Sequence, residues 1–213
     1  MKALSDFRKE YKAGRLTSDV LTHHPIDLFE SWLGDAIAAE LPDPNAMTVA
    51  TVDASGQPSQ RIVLLKDLSK DGFVFYTNLG SRKAKDLAVN DKISLHFPWY
   101  FLERQVRVSG IAKQLSRTEV LKYFLSRPKD SQLGAWASQQ SQPISTRELL
   151  VTQFAQMKEK FAKGNIPLPD FWGGYRIEPH QIEFWQGGEH RLHDRFEYNK
   201  QDDGSWTTQR LMP

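Results

Sequence analysis

The chain has 213 residues, a formal net charge of +2, and 39% hydrophobic and 25% charged residues, the length of one domain and the composition of a soluble globular protein. So mild a charge gives no argument for nucleic acid, and the absence of cysteine excludes disulfides, thiolate metal sites and cysteine nucleophiles. No apolar run approaches the roughly 20 residues of a membrane span, and the charged first residues hold no signal-peptide core, so a cytoplasmic protein without a membrane partner is expected.

Residues 1–14 read as a short polar helix or arm, and the first 20 as an extension of a single domain spanning 1–213. A helix starts at Pro25, carries Leu28, Phe29, Trp32, Leu33 and Ile37 at helical spacing, and is stopped by Pro42 and Pro44. Strands are expected at 47–52, 61–66, 73–77, 93–97 and 105–112. Ser81 is a plausible N-cap for a helix to about residue 90. Capping boxes at Ser116…Glu119 and Ser145…Glu148 open two more, one ending before Pro128 and one reaching about residue 163. Strands return at 175–177, 181–185, 191–198 and 206–211. Short strands with inserted helices predict a mainly β (α+β) fold, a closed or partly closed antiparallel barrel with helical decoration. No Gly-x-Gly-x-x-Gly motif supports a doubly wound sheet.

The densest chemistry lies in Trp185-Gln186-Gly187-Gly188-Glu189-His190-Arg191-Leu192-His193-Asp194-Arg195. In an extended chain Arg191, His193 and Arg195 share a face, and a histidine between two cations holds its proton weakly. Such a face suits an anionic planar ligand, though it is equally the wet side of an ordinary antiparallel strand. At the Ser81 cap, Arg82 and Lys83 sit where a helix is already positive, an unfavourable choice unless an anion binds there. Tyr123 and Arg127, four apart, form a second candidate anion grip that Ser131 joins if a helix resumes after Pro128; the alternative is a surface arginine beside a half-buried tyrosine. Arg61 and Lys66 flank the apolar run Ile62-Val63-Leu64-Leu65, which reads as a buried strand. Gln105, Gln140 and Ser141 could read a heterocycle's polar edge, and Trp185 could pack on a flat ring or belong to the core. No zinc motif, Walker loop or nucleophile elbow is present, so no metal is expected.

Taken together, Gln60-Arg61-Ile62-Val63-Leu64-Leu65-Lys66, residues 74–83, Tyr123-Phe124-Leu125-Ser126-Arg127-Pro128, Phe171-Trp172-Gly173-Gly174-Tyr175-Arg176 and the 185–195 segment resemble the pyridoxamine 5'-phosphate oxidase family. The resemblance implies an antiparallel split β-barrel of the FMN-binding type with flanking helices, paired as a homodimer with FMN at the subunit interface. It assigns the FMN phosphate to Arg61, Ser81, Arg82 and Lys83, within a cofactor stretch that includes Ile62, Val63, Leu64, Leu65 and Lys66. Tyr76, Thr77, Gln105, Gln140, Ser141, Trp185 and Arg195 would contact the rest of the flavin. Lys66, Tyr123, Arg127 and Ser131 would grip the substrate phosphate, and Arg191 and His193, the catalytic pair, would face its pyridine ring. Arg8 and Tyr11 fall in an arm that can close over substrate, and Asp43 is a further candidate. The implied reaction takes pyridoxamine or pyridoxine 5'-phosphate to pyridoxal 5'-phosphate, with hydride passing from C4' to flavin N5 and O2 restoring the flavin with release of H2O2. A related split-barrel flavoprotein with another substrate, or a non-catalytic B6-phosphate or flavin carrier, are the competing readings.

Overall fold

Apolar residues at every second position build most of the protein. In a computed structural model, which describes residues 3–7 and 9–213, strand β1 (Ala46–Val52) buries Met47, Val49 and Thr51, and β5 (Lys92–Trp99) buries Ile93, Leu95, Phe97 and Trp99. The other strands are β2 (Pro58–Leu64), β3 (Asp67–Ser69), β4 (Gly72–Asn78), β6 (Arg104–Gln114), β7 (Trp172–Gln186), β8 (Asp194–Lys200) and β9 (Trp206–Arg210). All pair antiparallel in the order β2-β1-β5-β6-β7-β4-β3, with β8 on β7 and β9 on β8. The sheet divides at β7: its first residues pair with β4, its last with β8, and β6 runs along both parts.

The sheet is rolled. Strands β5 and β4 stand three places apart, about 14 Å in a flat sheet, yet the rings of Phe97 and Phe73 have centroids 5.9 Å apart. Helix α1 (Pro25–Ala38) fills the concave side, where Phe29 packs edge-on to Phe73 at 5.0 Å and to Phe97 at 4.7 Å. Its start is set by Pro25 and by His24 Nδ1, which accepts the Ile26 N–H. A second, smaller core of Val74, Leu115, Val120, Phe124, Leu133, Ile166 and Trp172 lies under α3 (Arg117–Ser126) and α4 (Lys129–Ala137). Helices α2 (Arg82–Val89) and α5 (Arg147–Lys160) complete the described helices, none long and apolar enough to cross a membrane.

Several sequence expectations are corrected. The strands expected at 175–177 and 181–185 are one 15-residue strand, because a bulge at Ser109/Gly110 lets Pro179 pass without supplying a ladder amide. Gly110 is required there, since a Cβ would lie 2.6 Å from the Glu178 carbonyl oxygen. Residues 61–66 are not a buried strand: β2 ends at Leu64, pairs only with β1, and leaves Ile62 73% exposed. The second capping box does not form: Thr146 rather than Ser145 is the N-cap, accepting from the Leu149 N–H, and Leu149 has no side-chain acceptor to return the bond. The strand expected from 191 starts at Asp194, because the chain first makes a tight turn at Glu189–Arg191 with His190 (φ 55°) and Arg191 (φ 66°) left-handed.

Candidate active site

The first-turn cations of α2 part company. Arg82 turns outward to within 3.7 Å of Asp53, while Lys83 turns inward and is 7% exposed. Its Nζ donates to Thr77 Oγ1 (3.1 Å) and Gln140 Oε1 (3.0 Å) and faces no carboxylate among the described residues. Burial, reinforced by the charge of Arg61, pulls the Lys83 pKa down to about 8. Beside it Ser81 is fully buried, its hydroxyl 3.4 Å from that of Thr77 and making no cap bond to the helix. Arg61 reaches across from β2, donating to Thr51 Oγ1 (2.8 Å), Val49 O (3.2 Å) and Ser59 Oγ (3.1 Å). Thr51 in turn donates to buried Asp86 (2.6 Å), whose carboxylate on α2 also lies 3.8 Å from the guanidinium. Burial depresses the Arg61 pKa and Asp86 opposes that effect.

Lys83, Thr77 and Gln140 line one end of a cavity of about 460 Å³. The helix does resume after Pro128, and α3 and α4 bring Tyr123, Arg127 and Ser131 to the same cavity with Lys66. Arg127 lies over the Trp172 ring at 4.7 Å, its Nη1 buried without a hydrogen-bond partner among the described residues. Burial lowers the Arg127 pKa and raises that of Tyr123. The rings of Tyr76, Tyr123 and Trp172 lie nearly parallel, with Tyr76 3.9 Å from Tyr123 and 5.4 Å from Trp172 and the last two 6.1 Å apart, giving the cavity a flat wall. Among the described residues no carboxylate lines it. The cavity can therefore hold an anionic, planar molecule, with two places where a phosphate meets unbalanced positive charge. Ile62, Val63 and Leu64 complete its open side, whereas Leu65 packs in the main core. Ser141 (φ 69°) borders a neighbouring cavity of about 300 Å³ together with Gln140.

A second group forms at the far end of β7. Trp185 packs against His193 (4.7 Å) and receives the Tyr11 ring edge-on (5.6 Å). His193 Nδ1 accepts the Gly188 N–H at 3.1 Å, which places the ring proton on Nε2. Its pKa is lowered, first by burial and then by Arg191, in the expected direction. The expected common face of Arg191, His193 and Arg195 does not form, because the turn leaves Arg191 exposed before the strand begins. Arg195 turns to Glu183 with bonds of 2.9 and 3.1 Å, and Glu183 also binds Arg107. Gln105 pairs with Trp185 across the sheet and meets His96 Nε2 at 3.1 Å. Arg8 lies outside the described residues, and Asp43 borders a separate cavity beside Trp99 and Tyr100.

Within one chain the two groups do not meet. Trp172 lines the cavity at one end of β7 and Trp185 stands thirteen residues on, roughly 40 Å of strand path. Sequence reasoning missed Trp172 as a wall, and missed Asp86, Glu103 and Glu183, three buried carboxylates that position arginines or backbone. Gly134 and Ala135, small residues on α4 that leave room in the cavity, carried the only local signal, a glycine inside a helix.

A rolled antiparallel sheet around a flat-walled cationic cavity defines the class of FMN-binding split barrels. Residues 33–161 match the family described as pyridoxamine 5'-phosphate oxidase, and residues 172–213 match its pyridoxine 5'-phosphate oxidase C-terminal dimerisation region. The chain belongs to the pyridoxamine 5'-phosphate oxidase family. A pyridoxine/pyridoxamine 5'-phosphate oxidase of Alteromonas mediterranea is 66% identical over 211 residues, covering 99% of this chain and all of that one. Another from Shewanella baltica is 61% identical over the full 213 residues of both. Among solved structures, PhzG from Burkholderia lata in complex with tetrahydrophenazine-1-carboxylic acid superposes with a TM-score of 0.87 at 31% identity, covering 93% of this chain and 98% of that one. A pyridoxamine 5'-phosphate oxidase-related FMN-binding protein of Nostoc punctiforme shares the fold, with a TM-score of 0.71 at 14% identity, covering 87% and 97%. The residues present fit FMN: buried Lys83 and Ser81 face no anion among the described residues, and the adjoining flat wall suits a planar ring.

Proposed function

We propose that the protein oxidises pyridoxamine and pyridoxine 5'-phosphates to pyridoxal 5'-phosphate, as its relatives' names describe, in a homodimer with FMN at the subunit interface. The observation that carries this reading is one cavity with buried Lys83 at one place, half-buried Arg127 with Lys66 at another, and no carboxylate among the described residues, room for one phosphate of the cofactor and one of the substrate. When bound, FMN accepts two electrons as hydride and returns them to O2. Lys83, Ser81 and Arg61 would hold its phosphate, joined by Arg82 on leaving Asp53, and Tyr76, Thr77, Gln140 and Ser141 would border the rest. Lys66, Tyr123, Arg127 and Ser131 fix the substrate phosphate, each charged bond worth about 1.5–3 kcal/mol. A second copy brings Gln105, Trp185, Arg195, Arg191 and His193. This follows from the separation of the two groups in one chain and from the apolar edge strand β2, which borders the cavity. His193, neutral with its proton on Nε2, presents a donor toward the substrate ring, and Arg191 supplies fixed charge beside it. Tyr11, on the arm, covers that place.

The purified protein should be yellow and should take up O2 on addition of pyridoxine 5'-phosphate, with pyridoxal 5'-phosphate as product. Arg127→Ala should keep its flavin colour and raise KM by about tenfold or more, the factor for one charged hydrogen bond. Turnover of a phosphate-free pyridoxine at the same efficiency as the phosphate would sink this assignment of the α3–α4 grip.

A further inference from the structure

Glu103 follows the short turn Tyr100–Leu102 and adopts a left-handed backbone (φ 54°, ψ 36°) that a non-glycine residue holds only where its surroundings enforce it. Its side chain is 5% exposed, and every contact of its carboxylate among the described residues comes from the N-terminal arm. Lys9 Nζ lies 2.7 Å from Oε1, and the Lys12 and Ala13 N–H groups donate to Oε2 at 2.6 and 2.8 Å. The same residue's carbonyl oxygen accepts the Gly187 N–H at 2.7 Å. One residue thus ties the arm to the Gly187-Gly188 turn. A second buried carboxylate, Asp194, accepts the Leu16 N–H at 3.1 Å and fixes the arm's other end. Inside the first anchor, between Lys9 and Lys12, Tyr11 lies edge-on to Trp185 and to His193 (5.4 Å).

Among residues 9–13 only Tyr11 is even half-buried, so apart from its ring contacts apolar packing does little to hold them. A buried carboxylate stripped of donors is unfavourable, and the arm supplies those donors. Release of the arm therefore exchanges three donors, one of them charged, for water, and the loss of Glu103 releases the arm. We propose that Glu103 is a positioning residue, a latch that holds residues 9–13 closed so that Tyr11 caps the substrate place beside His193 and Trp185. The role given to Tyr11 rests on the oxidase reading; the latch itself does not.

The test uses the FMN-loaded protein and two readouts. In Glu103→Ala, trypsin cleavage after Lys12 and Arg15 should accelerate by about tenfold or more, since the donors of one buried carboxylate no longer hold the arm. KM for pyridoxine 5'-phosphate should rise by about fivefold or more while kcat changes by less than about twofold, because the closed arm is less populated. Glu103→Gln, which keeps an acceptor and loses the charge, should fall between wild type and Glu103→Ala in both. Lys9→Gln removes one mostly exposed partner without disturbing the core and should accelerate cleavage by about two- to fivefold. Cleavage at the wild-type rate in both Glu103→Ala and Lys9→Gln would overturn the latch. Faster cleavage with an unchanged KM would overturn the positioning role. A wild-type protein that does not turn over overturns the oxidase reading instead, and the cleavage rates still decide the latch.

Discussion

Lys83 shows at the scale of one residue how a binding site is built against stability. Its pKa is about 8 in the folded chain against 10.5 for an ordinary lysine. Above about pH 10.5 the amine is neutral folded or unfolded, and its burial is not opposed. As pH falls from 10.5 through 8 the unfolded chain takes up the proton first, so the apoprotein loses stability from this group, on the order of 2–3 kcal/mol below pH 8. A phosphate bound at Lys83 restores that energy and raises the pKa again. FMN affinity should accordingly fall as pH rises through about 8, where the free site loses its charge. Lys83→Met should melt no lower than wild type as apoprotein at neutral pH, while its FMN dissociation constant rises by at least about tenfold. Thermal melts with and without FMN check both statements. An apoprotein melting several degrees lower would show that Lys83 supports the fold rather than straining it.

At the scale of elements, the turn between β7 and β8 carries the segment that was chemically most conspicuous in the sequence. Its geometry depends on Gly188: a Cβ there would lie 2.2 Å from the Leu192 carbonyl oxygen, so the turn cannot close around a side chain. Gly188→Ala should displace His193 and Arg191 together and lower kcat/KM by about a hundredfold, the effect of a misplacement near 1 Å, with the melting temperature little changed. Equal activity in that variant would separate the turn from catalysis. Periodicity and capping residues made the strands and most helices legible, since they reflect local preference and one-sided burial. The exceptions have tertiary causes. Pro179 reads as a break, yet it borders a bulge at His180 on its own strand and lies opposite Gly110, whose lack of a side chain admits the close approach of β7. Alternation was extended back to Arg191, although two left-handed residues just before the strand rotate that side chain away. The candidate anion sites at Lys83 and Arg127 were proposed from misplaced or aligned charges, and the structure brings both residues to one cavity. Their supports, Asp86 and Thr51 under Arg61 and the carboxylate of Glu103 under the arm, come from distant positions and leave no local pattern.

For the molecule as a whole, the distribution of the site residues decides how many chains are needed. The phosphate cavity at one end of β7 and the Trp185–His193 group at the other cannot act on one ligand within a single chain. A second copy lying across β2 would join them, and β2 has the surface for it. Its alternate residues Ile62 and Leu64 are 73% and 38% exposed, on a strand with only one sheet neighbour, at the rim of the cavity. Ile62→Glu places a charge on that rim without touching the core. In the single chain it should leave folding intact, because Ile62 is already in water. Burial of the carboxylate against a second copy, unpaired, should weaken the dimer by about 3 kcal/mol, a factor above one hundred in its dissociation constant. Sedimentation at low protein concentration should then show monomer in the variant and dimer in the wild type. Flavin absorbance should fall in step with dimer fraction, since half the flavin contacts would leave with the partner. A monomeric variant that retained its full flavin complement would show that one chain suffices, and a variant still dimeric at the wild-type affinity would move the interface off β2.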